Sequence, residues 1–403
     1  MKRLFLLLVL ITLTSCVSTK TAYHIPVQNI ETSKKLLVFM DGTMNNSSSY
    51  TNVSKLYNLT ILQDKSYINA AYVTGVGNRG IGLMTGLGIG RTVREAYLFL
   101  SKNYHPERND EIYIFGFSRG AYAARILAGL IHVAGVTDLS KIPEKDQAKY
   151  IKKVYLAYRG DQTIYNRRKD IETITGKTPE SVSIEFMGLW DTVEALGVPN
   201  FKENYNVPNK NYVDQLCNIK RASQALSIND DRATIFTPKL LSKKYLTDKC
   251  EKPVNISEVV NEVWFAGAHS DVGGGYGDTE IDGVTLNWMI NEIKPYEILP
   301  ETAKVFEDPF DKIHDPSNDF IEIFYRRRFR DLSLYIENND VYNNGKFKIH
   351  TTAFERLNHS EVLPLQDFEY NLQAHFSNCF QLQENGGFLF IGGDDCAIEV
   401  VGN

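Results

Sequence analysis

The chain has 403 residues, 43% of them hydrophobic and 23% charged, with a formal net charge of −5. That length suits one large domain with extensions or two ordinary domains, and that apolar share is enough to bury a core. The slightly acidic balance excludes the global basic field of a nucleic-acid-binding protein.

The N-terminus reads as an address. Lys2 and Arg3 precede an apolar run from Leu4 to Leu13 that is too short to span a bilayer. The run ends Leu13-Thr14-Ser15-Cys16, which resembles a bacterial lipobox. That resemblance implies cleavage before Cys16 and lipidation of Cys16, hence a membrane-anchored lipoprotein of a Gram-negative cell envelope. Val17 after the cysteine, in place of Asp, implies by the same resemblance the outer membrane, facing the periplasm. An ordinary secretory peptide with a chance cysteine is the alternative. Residues 17–33 are polar and predict a flexible tether.

Lys35 to Met40 (KLLVFM) is a continuous apolar run ending at Asp41-Gly42-Thr43, the pattern of a buried strand feeding a loop. Ala70 to Thr74 predicts a second strand, and Arg91 to Asn103 a helix with Val93, Ala96, Tyr97 and Leu100 at helical spacing. Ile112 to Phe117 predicts a strand, and Arg119 to His132 and Asp146 to Tyr158 predict helices. Strands at Ser183 to Trp190 and Val259 to Gly267 follow, then a helix at Val284 to Ile293. Extended structure is expected at Ile321 to Arg330 and Phe347 to Thr351, and a hairpin in the aromatic and glycine-rich C-terminal stretch. Alternating strands and helices imply an α/β fold: a mostly parallel sheet with helices on both faces.

A parallel sheet presents functional groups at the carboxyl ends of its strands. Three such ends carry Ser118, Asp191 and His269, in that order. A serine hydroxyl needs an imidazole to take its proton, and the imidazole needs a carboxylate to fix its tautomer and stabilise its cation. Gly116-Phe117-Ser118-Arg119-Gly120 between strand and helix is the Gly-x-Ser-x-Gly turn, its glycines allowing strand and helix to approach closely. The order Ser, Asp, His is that of α/β-hydrolases, so the expected fold is an α/β-hydrolase-like three-layer sandwich. The developing oxyanion needs donors: the Arg119 N–H at the helix start, and a second from the loop at Gly42 and Thr43. Asp271 competes with Asp191 for the acid's role, but lies too near His269 in sequence to reach its ring easily; it reads as a loop organiser.

Other patterns carry less. Gly75 to Gly80 matches G-x-G-x-x-G, yet no helix begins promptly, and the acid at the expected distance, Glu95, falls within a helix. Gly86 to Arg91 lacks the Lys-Ser/Thr of a phosphate loop. Asn229-Asp230-Asp231 and Asp394-Asp395 lack histidine or cysteine at ligand spacing, so no metal and no cofactor is expected. Arg326-Arg327-Arg328 and Arg330 read as a solvated face or, alternatively, a patch for anionic lipid headgroups. Export permits disulfides among Cys217, Cys250, Cys379 and Cys396, which allow three pairings. Cys379 and Cys396 flank the expected turn at Asn385-Gly386-Gly387 and are the favoured pair, with free thiols as the alternative.

Six ordered stretches, VFMDGTMNN, GVGNRG, EIYIFGFSRGAYAARILAGLI, MGLWDTVEALGVP, RASQALSINDDRATIFTP and VWFAGAHSDVGGGY, together resemble the DUF2235 family, which includes the catalytic domain of Tle1-type phospholipase effectors of type VI secretion. The resemblance runs from about Leu36 to Pro364. It implies an α/β-hydrolase fold and esterase activity on glycerophospholipids, with Ser118, Asp191 and His269 as triad and Asp41, Gly42 and Thr43 as the family's Asp-Gly-Thr loop. Effectors of the family usually lack a lipoprotein signal, and the larger ones carry a membrane-binding insertion not evident here. The chain therefore divides into a signal (1–16), a tether (17–33), an α/β-hydrolase domain (34–367) and a C-terminal extension packed on it (368–403). The function expected is that of a lipid-anchored serine esterase or phospholipase. A carboxylesterase acting on a non-lipid ester, or a non-catalytic lipoprotein such as an immunity or assembly partner, is the alternative. A type VI secretion or immunity protein is the expected partner class.

Overall fold

In the computed structural model of the chain, the residues described are 20–26, 32–42, 45, 48–75, 88–194, 209–232, 236–315, 330–332, 335, 345–357, 376–384 and 388–402. The signal segment with Cys16, Thr43, Arg326 to Arg328 and the Asn385-Gly386-Gly387 turn lie outside them, as do most of the stretch expected to be extended before Arg330 and residues 76–80 of the glycine-rich decoy.

A nine-stranded sheet organises the chain, in the order β1-β3-β2-β4-β5-β6-β7-β8-β11. The strands are β1 (Thr21–His24), β2 (Lys35–Met40), β3 (Ile68–Val73), β4 (Glu111–Phe117), β5 (Phe186–Trp190), β6 (Ala222–Ser227), β7 (Val260–Phe265), β8 (Phe347–His350) and β11 (Ile398–Val401). Every pairing in the sheet is parallel except that of β1, which runs antiparallel along the β3 edge. A separate antiparallel pair, β9 (Phe380–Leu382) and β10 (Phe388–Phe390), stands beside it.

The continuous apolar runs are explained by the two faces they serve. Side chains alternate across a strand, so Leu36, Val38 and Met40 of β2 enter one core while Leu37 and Phe39 enter the other. The first core is closed by α1 (Ile89–Asn103), α2 (Arg119–Ala134), α3 (Glu144–Tyr158) and α4 (Ile164–Thr175). The second is closed by α5 (Asn52–Ile61) and α6 (Asp282–Ile293). With both faces covered, the sheet is the middle layer of an α/β-hydrolase-like three-layer sandwich. A third cluster around Trp264, Phe347, Ile349 and Ile398 packs the far edge, where a Cys379–Cys396 disulfide pins the C-terminal segment. Cys217 and Cys250 form a second disulfide.

Two stretches depart from expectation. Part of the expected tether is strand β1, because β3 offers an unpaired edge; Tyr23 also stacks on Phe99, with ring centroids 5.9 Å apart. The C-terminal stretch does more than form a hairpin packed on the domain: β11 pairs with β8 and becomes the last strand of the main sheet.

Candidate active site

The carboxyl ends of β4, β5 and β7 converge. Ser118 follows β4 directly, at φ 57° and ψ −126°, a backbone region that L-residues occupy only under constraint. The constraint is visible in its glycines. A Cβ at Gly116 would sit 2.6 Å from Ala121 Cα, and one at Gly120 would run into the Met40 carbonyl oxygen. Only bare backbone lets β4 turn into α2 at this spot. The Ser118 N–H donates to Trp190 O at 3.0 Å, tying the turn to β5.

Asp191 begins the loop after β5, also at positive φ (37°), with its N–H bonded to Ala225 O at 2.8 Å. His269 opens a short helical turn, His269–Gly273, after β7. Its Nε2 lies 2.8 Å from Ser118 Oγ and its Nδ1 lies 2.5 Å from Asp191 Oδ2. Those two contacts fix the tautomer: Nδ1 donates to the carboxylate, leaving Nε2 to accept from the serine. The ring is held between Phe117 and Phe236, with centroids at 4.7 and 4.8 Å. All three polar side chains are buried, Asp191 completely.

Burial pushes the His269 imidazole below its ordinary value, against the pull of Asp191. Burial opposes ionisation of Asp191 too, but the Arg330 guanidinium and the His269 ring outweigh it and hold the carboxyl below the usual range. Arg330 is the surprise. The arginine cluster was expected to be a solvated or lipid-facing surface, yet Arg330 is fully buried. It grips Asp191 with both terminal nitrogens, Nη1 to Oδ1 at 2.7 Å and Nη2 to Oδ2 at 2.8 Å. The reason it is inside is the carboxylate: a buried guanidinium is tolerated only with its charge paired, and both Nη groups are also fully bonded.

Asp230, dismissed as a metal ligand on sequence grounds, accepts from the His269 backbone N–H at 3.2 Å and pairs with Arg232 at 2.6 Å. Asp271 does not approach the His269 ring through any described hydrogen bond. It accepts from Ala268 N–H at 2.9 Å and binds His314 through Nδ1 at 2.7 Å, which holds the turn carrying His269.

The loop after β2 needs a correction. Gly42 comes close to Ser118, since a Cβ there would lie 3.2 Å from Ser118 Cβ. Its N–H, however, donates to the Asp41 carboxylate at 2.6 Å, so it is not a free oxyanion donor; the aspartate folds back onto the next amide. Asp41 also accepts from Thr51 Oγ1 at 2.5 Å and from Tyr72 OH, and burial pushes its carboxyl up to about 6 despite these bonds. Arg119 stands as the first residue of α2, its N–H at the helix's positive end. Among the described residues, no group of three or more His, Cys, Asp or Glu side chains is arranged to hold a metal ion. No helix among them is long and apolar enough to cross a membrane.

Of these residues, Arg330, Asp230, Arg232 and Phe236 escaped sequence reasoning. Nothing local separates Arg330 from the three arginines just before it, and the burial of Arg330, Asp230 and Arg232 and the packing of Phe236 on His269 are tertiary properties.

Residues 34–292 match the model of the type VI secretion phospholipase effector Tle1-like catalytic domain. An uncharacterized Saccharomyces cerevisiae protein, YEL023C, is 28% identical over 274 residues, covering 58% of this chain and 38% of that protein. A structure of the Tle1 effector bound to the VgrG spike of the type 6 secretion system is 20% identical, covering 61% of this chain and 51% of that one, with a TM-score of 0.31. Esterase 2 of Thermogutta terrifontis, phosphonylated by cyclosarin, is 13% identical over 72% of this chain and 93% of its own, with a TM-score of 0.38. The chain thus spans under two-fifths of the yeast protein and about half of the effector chain.

Proposed function

Because the chain belongs to the family of Tle1-like phospholipase effector catalytic domains, we propose that it is a serine hydrolase of phospholipid esters. Ser118 Oγ attacks the ester carbonyl while His269 Nε2 takes its proton. His269 returns that proton to the leaving alcohol, and Asp191 steadies the imidazolium. The Arg119 N–H stabilises the oxyanion at the helix start. Water, activated by His269, then releases the fatty acid from the serine. The observation that carries this reading is the continuous hydrogen-bonded path Ser118–His269–Asp191 at the strand ends of a parallel sheet.

Lipid anchoring through Cys16 and an outer-membrane, periplasm-facing location belong to the same proposal. The disulfides Cys217–Cys250 and Cys379–Cys396 support an oxidising compartment. The family supports a type VI secretion or immunity protein as the partner class, which co-purification with a spike protein would test. The test of the chemistry is labelling by a fluorophosphonate probe, with phospholipid and short-chain ester hydrolysis measured side by side. Wild type is expected to be modified at Ser118 and to release fatty acid, and Ser118→Ala to do neither while remaining folded. Undiminished hydrolysis by folded Ser118→Ala would end the reading, and hydrolysis of short-chain esters alone would move the substrate away from lipid.

A further inference from the structure

Both oxygens of Asp191 accept two hydrogen bonds each. Oδ1 accepts from Arg330 Nη1 at 2.7 Å and from Ser227 N–H at 3.1 Å; Oδ2 accepts from Arg330 Nη2 at 2.8 Å and from His269 Nδ1 at 2.5 Å. Arg330 spends its other Nη protons on Ser227 O at 2.7 Å and Phe236 O at 2.8 Å. The guanidinium therefore links three things: the carboxylate behind the imidazole, the backbone at the end of β6, and the backbone of Phe236, whose ring packs on His269. Such a planar fork can satisfy both carboxylate oxygens at once, which a lysine ammonium cannot.

We propose that Arg330 is the positioning residue of this site: its fork holds the Asp191 carboxylate turned toward His269 Nδ1, and its charge keeps that carboxylate from over-stabilising the imidazolium. This rests on the reading of Ser118, His269 and Asp191 given above. Among the described residues, the charged groups facing His269 are Asp191 after β5, Asp230 and Arg232 after β6, and Arg330; Asp271, on the histidine's own turn, is committed to His314. Two carboxylates are thus balanced by two guanidiniums. Removing one guanidinium leaves a net negative field at the ring, so its proton affinity rises. A general base must be neutral to act, and an imidazolium that is too stable is a poorer acid for the leaving alcohol.

The experiment compares wild type, Arg330→Gln and Arg330→Lys, each confirmed folded by its thermal transition. The measurements are kcat and KM across pH and fluorophosphonate modification of Ser118. Arg330→Gln is expected to lower kcat at least tenfold and to move the acidic limb of the profile up by about one pH unit or more. Arg330→Lys, keeping the charge but losing the fork, is expected to lower kcat by a similar factor with KM and the limb nearly unmoved. A merely structural role would not separate the two variants in this way. An unmoved limb in Arg330→Gln, or wild-type kcat in Arg330→Lys, overturns the proposal. Should Arg330→Gln fail to fold, Arg330→Lys decides alone: reduced kcat with an unmoved limb supports it, and wild-type kcat overturns it. If wild type itself is not modified at Ser118, the functional reading falls and takes this one with it; modification of wild type with indifferent Arg330 variants sinks only the role of Arg330.

Discussion

Asp191→Asn is the substitution whose consequence this structure makes most specific. Asparagine has nearly the shape of aspartate, so on steric grounds little should change. Electrostatically the change is severe, because the side chain is fully buried and faces a fully buried guanidinium. An amide offers one oxygen where the Arg330 fork needs two. Its NH2 would then stand either in place of Oδ2, facing Arg330 Nη2 donor against donor and forcing the opposite tautomer on His269, or in place of Oδ1, donor against donor with Arg330 Nη1 and the Ser227 N–H. Removing one partner of a buried ion pair costs about 3–5 kcal/mol, since the remaining charge is left uncompensated. That is a large part of the roughly 5–15 kcal/mol by which a domain is stable. On catalysis, the wrong tautomer leaves Ser118 facing an N–H instead of a lone pair; in the serine proteases this substitution costs about four orders of magnitude in kcat. The two losses are read separately, stability from urea unfolding followed by tryptophan fluorescence, and kcat from fatty-acid release in buffer. A variant within about 1 kcal/mol of wild type would refute the electrostatic account of the Asp191–Arg330 pair. A folded variant retaining more than about a tenth of wild-type kcat would refute the tautomer argument.

Two further outcomes follow from the same geometry. Because burial holds the His269 imidazole below its ordinary value of about 6.5, kcat should stay high down to mildly acidic pH and fall only as the ring gains a proton, on a limb below that value; a limb above pH 7 in the pH–rate profile contradicts it. Because Ser118 holds φ 57° and ψ −126°, Ser118→Gly should be more stable than Ser118→Ala by about 1–3 kcal/mol of released strain, though both are inactive; equal unfolding midpoints for the two would show that the turn stores none.

The parts of the fold legible in the chain were those where one physical signal dominates. Lys35–Met40 is buried on both faces from Leu36 onward, so the five residues after Lys35 are uniformly apolar and its ends coincide with the expected strand. β6 was invisible because its sequence, ASQALS, is half polar. Those polar groups are buried yet satisfied: Gln224 bonds Glu262 at 2.7 Å, and Ser227 Oγ donates to Gly267 O at 2.7 Å. Such a strand is recognisable only once its partners are in place. β1 was read as tether for a different reason: as an edge strand with half-exposed side chains it needs no apolar alternation, only the free edge of β3. Helix α5 was hidden behind a run of Asn and Ser residues that favours loops. Thr51 begins it, accepting from Ser54 N–H at 3.1 Å while donating to Asp41.

The site divides along the same line. Ser118, Asp191 and His269 each stand at a strand end, and strand ends can be read from hydrophobic pattern, so their meeting was foreseeable. What surrounds them was not, because it arrives from elsewhere in the chain. Arg330 comes from 139 positions beyond Asp191, and Asp230 reaches the His269 backbone from 39 positions before it. These second partners determine the chemistry as much as the triad does. Burial is the largest influence on the His269 proton; Asp191 and Asp230 pull against it, and Arg232 adds to it. The carboxylate that opposes the shift stands at a strand end legible in sequence, whereas Arg232, which reinforces it, looks in sequence like solvent-facing charge.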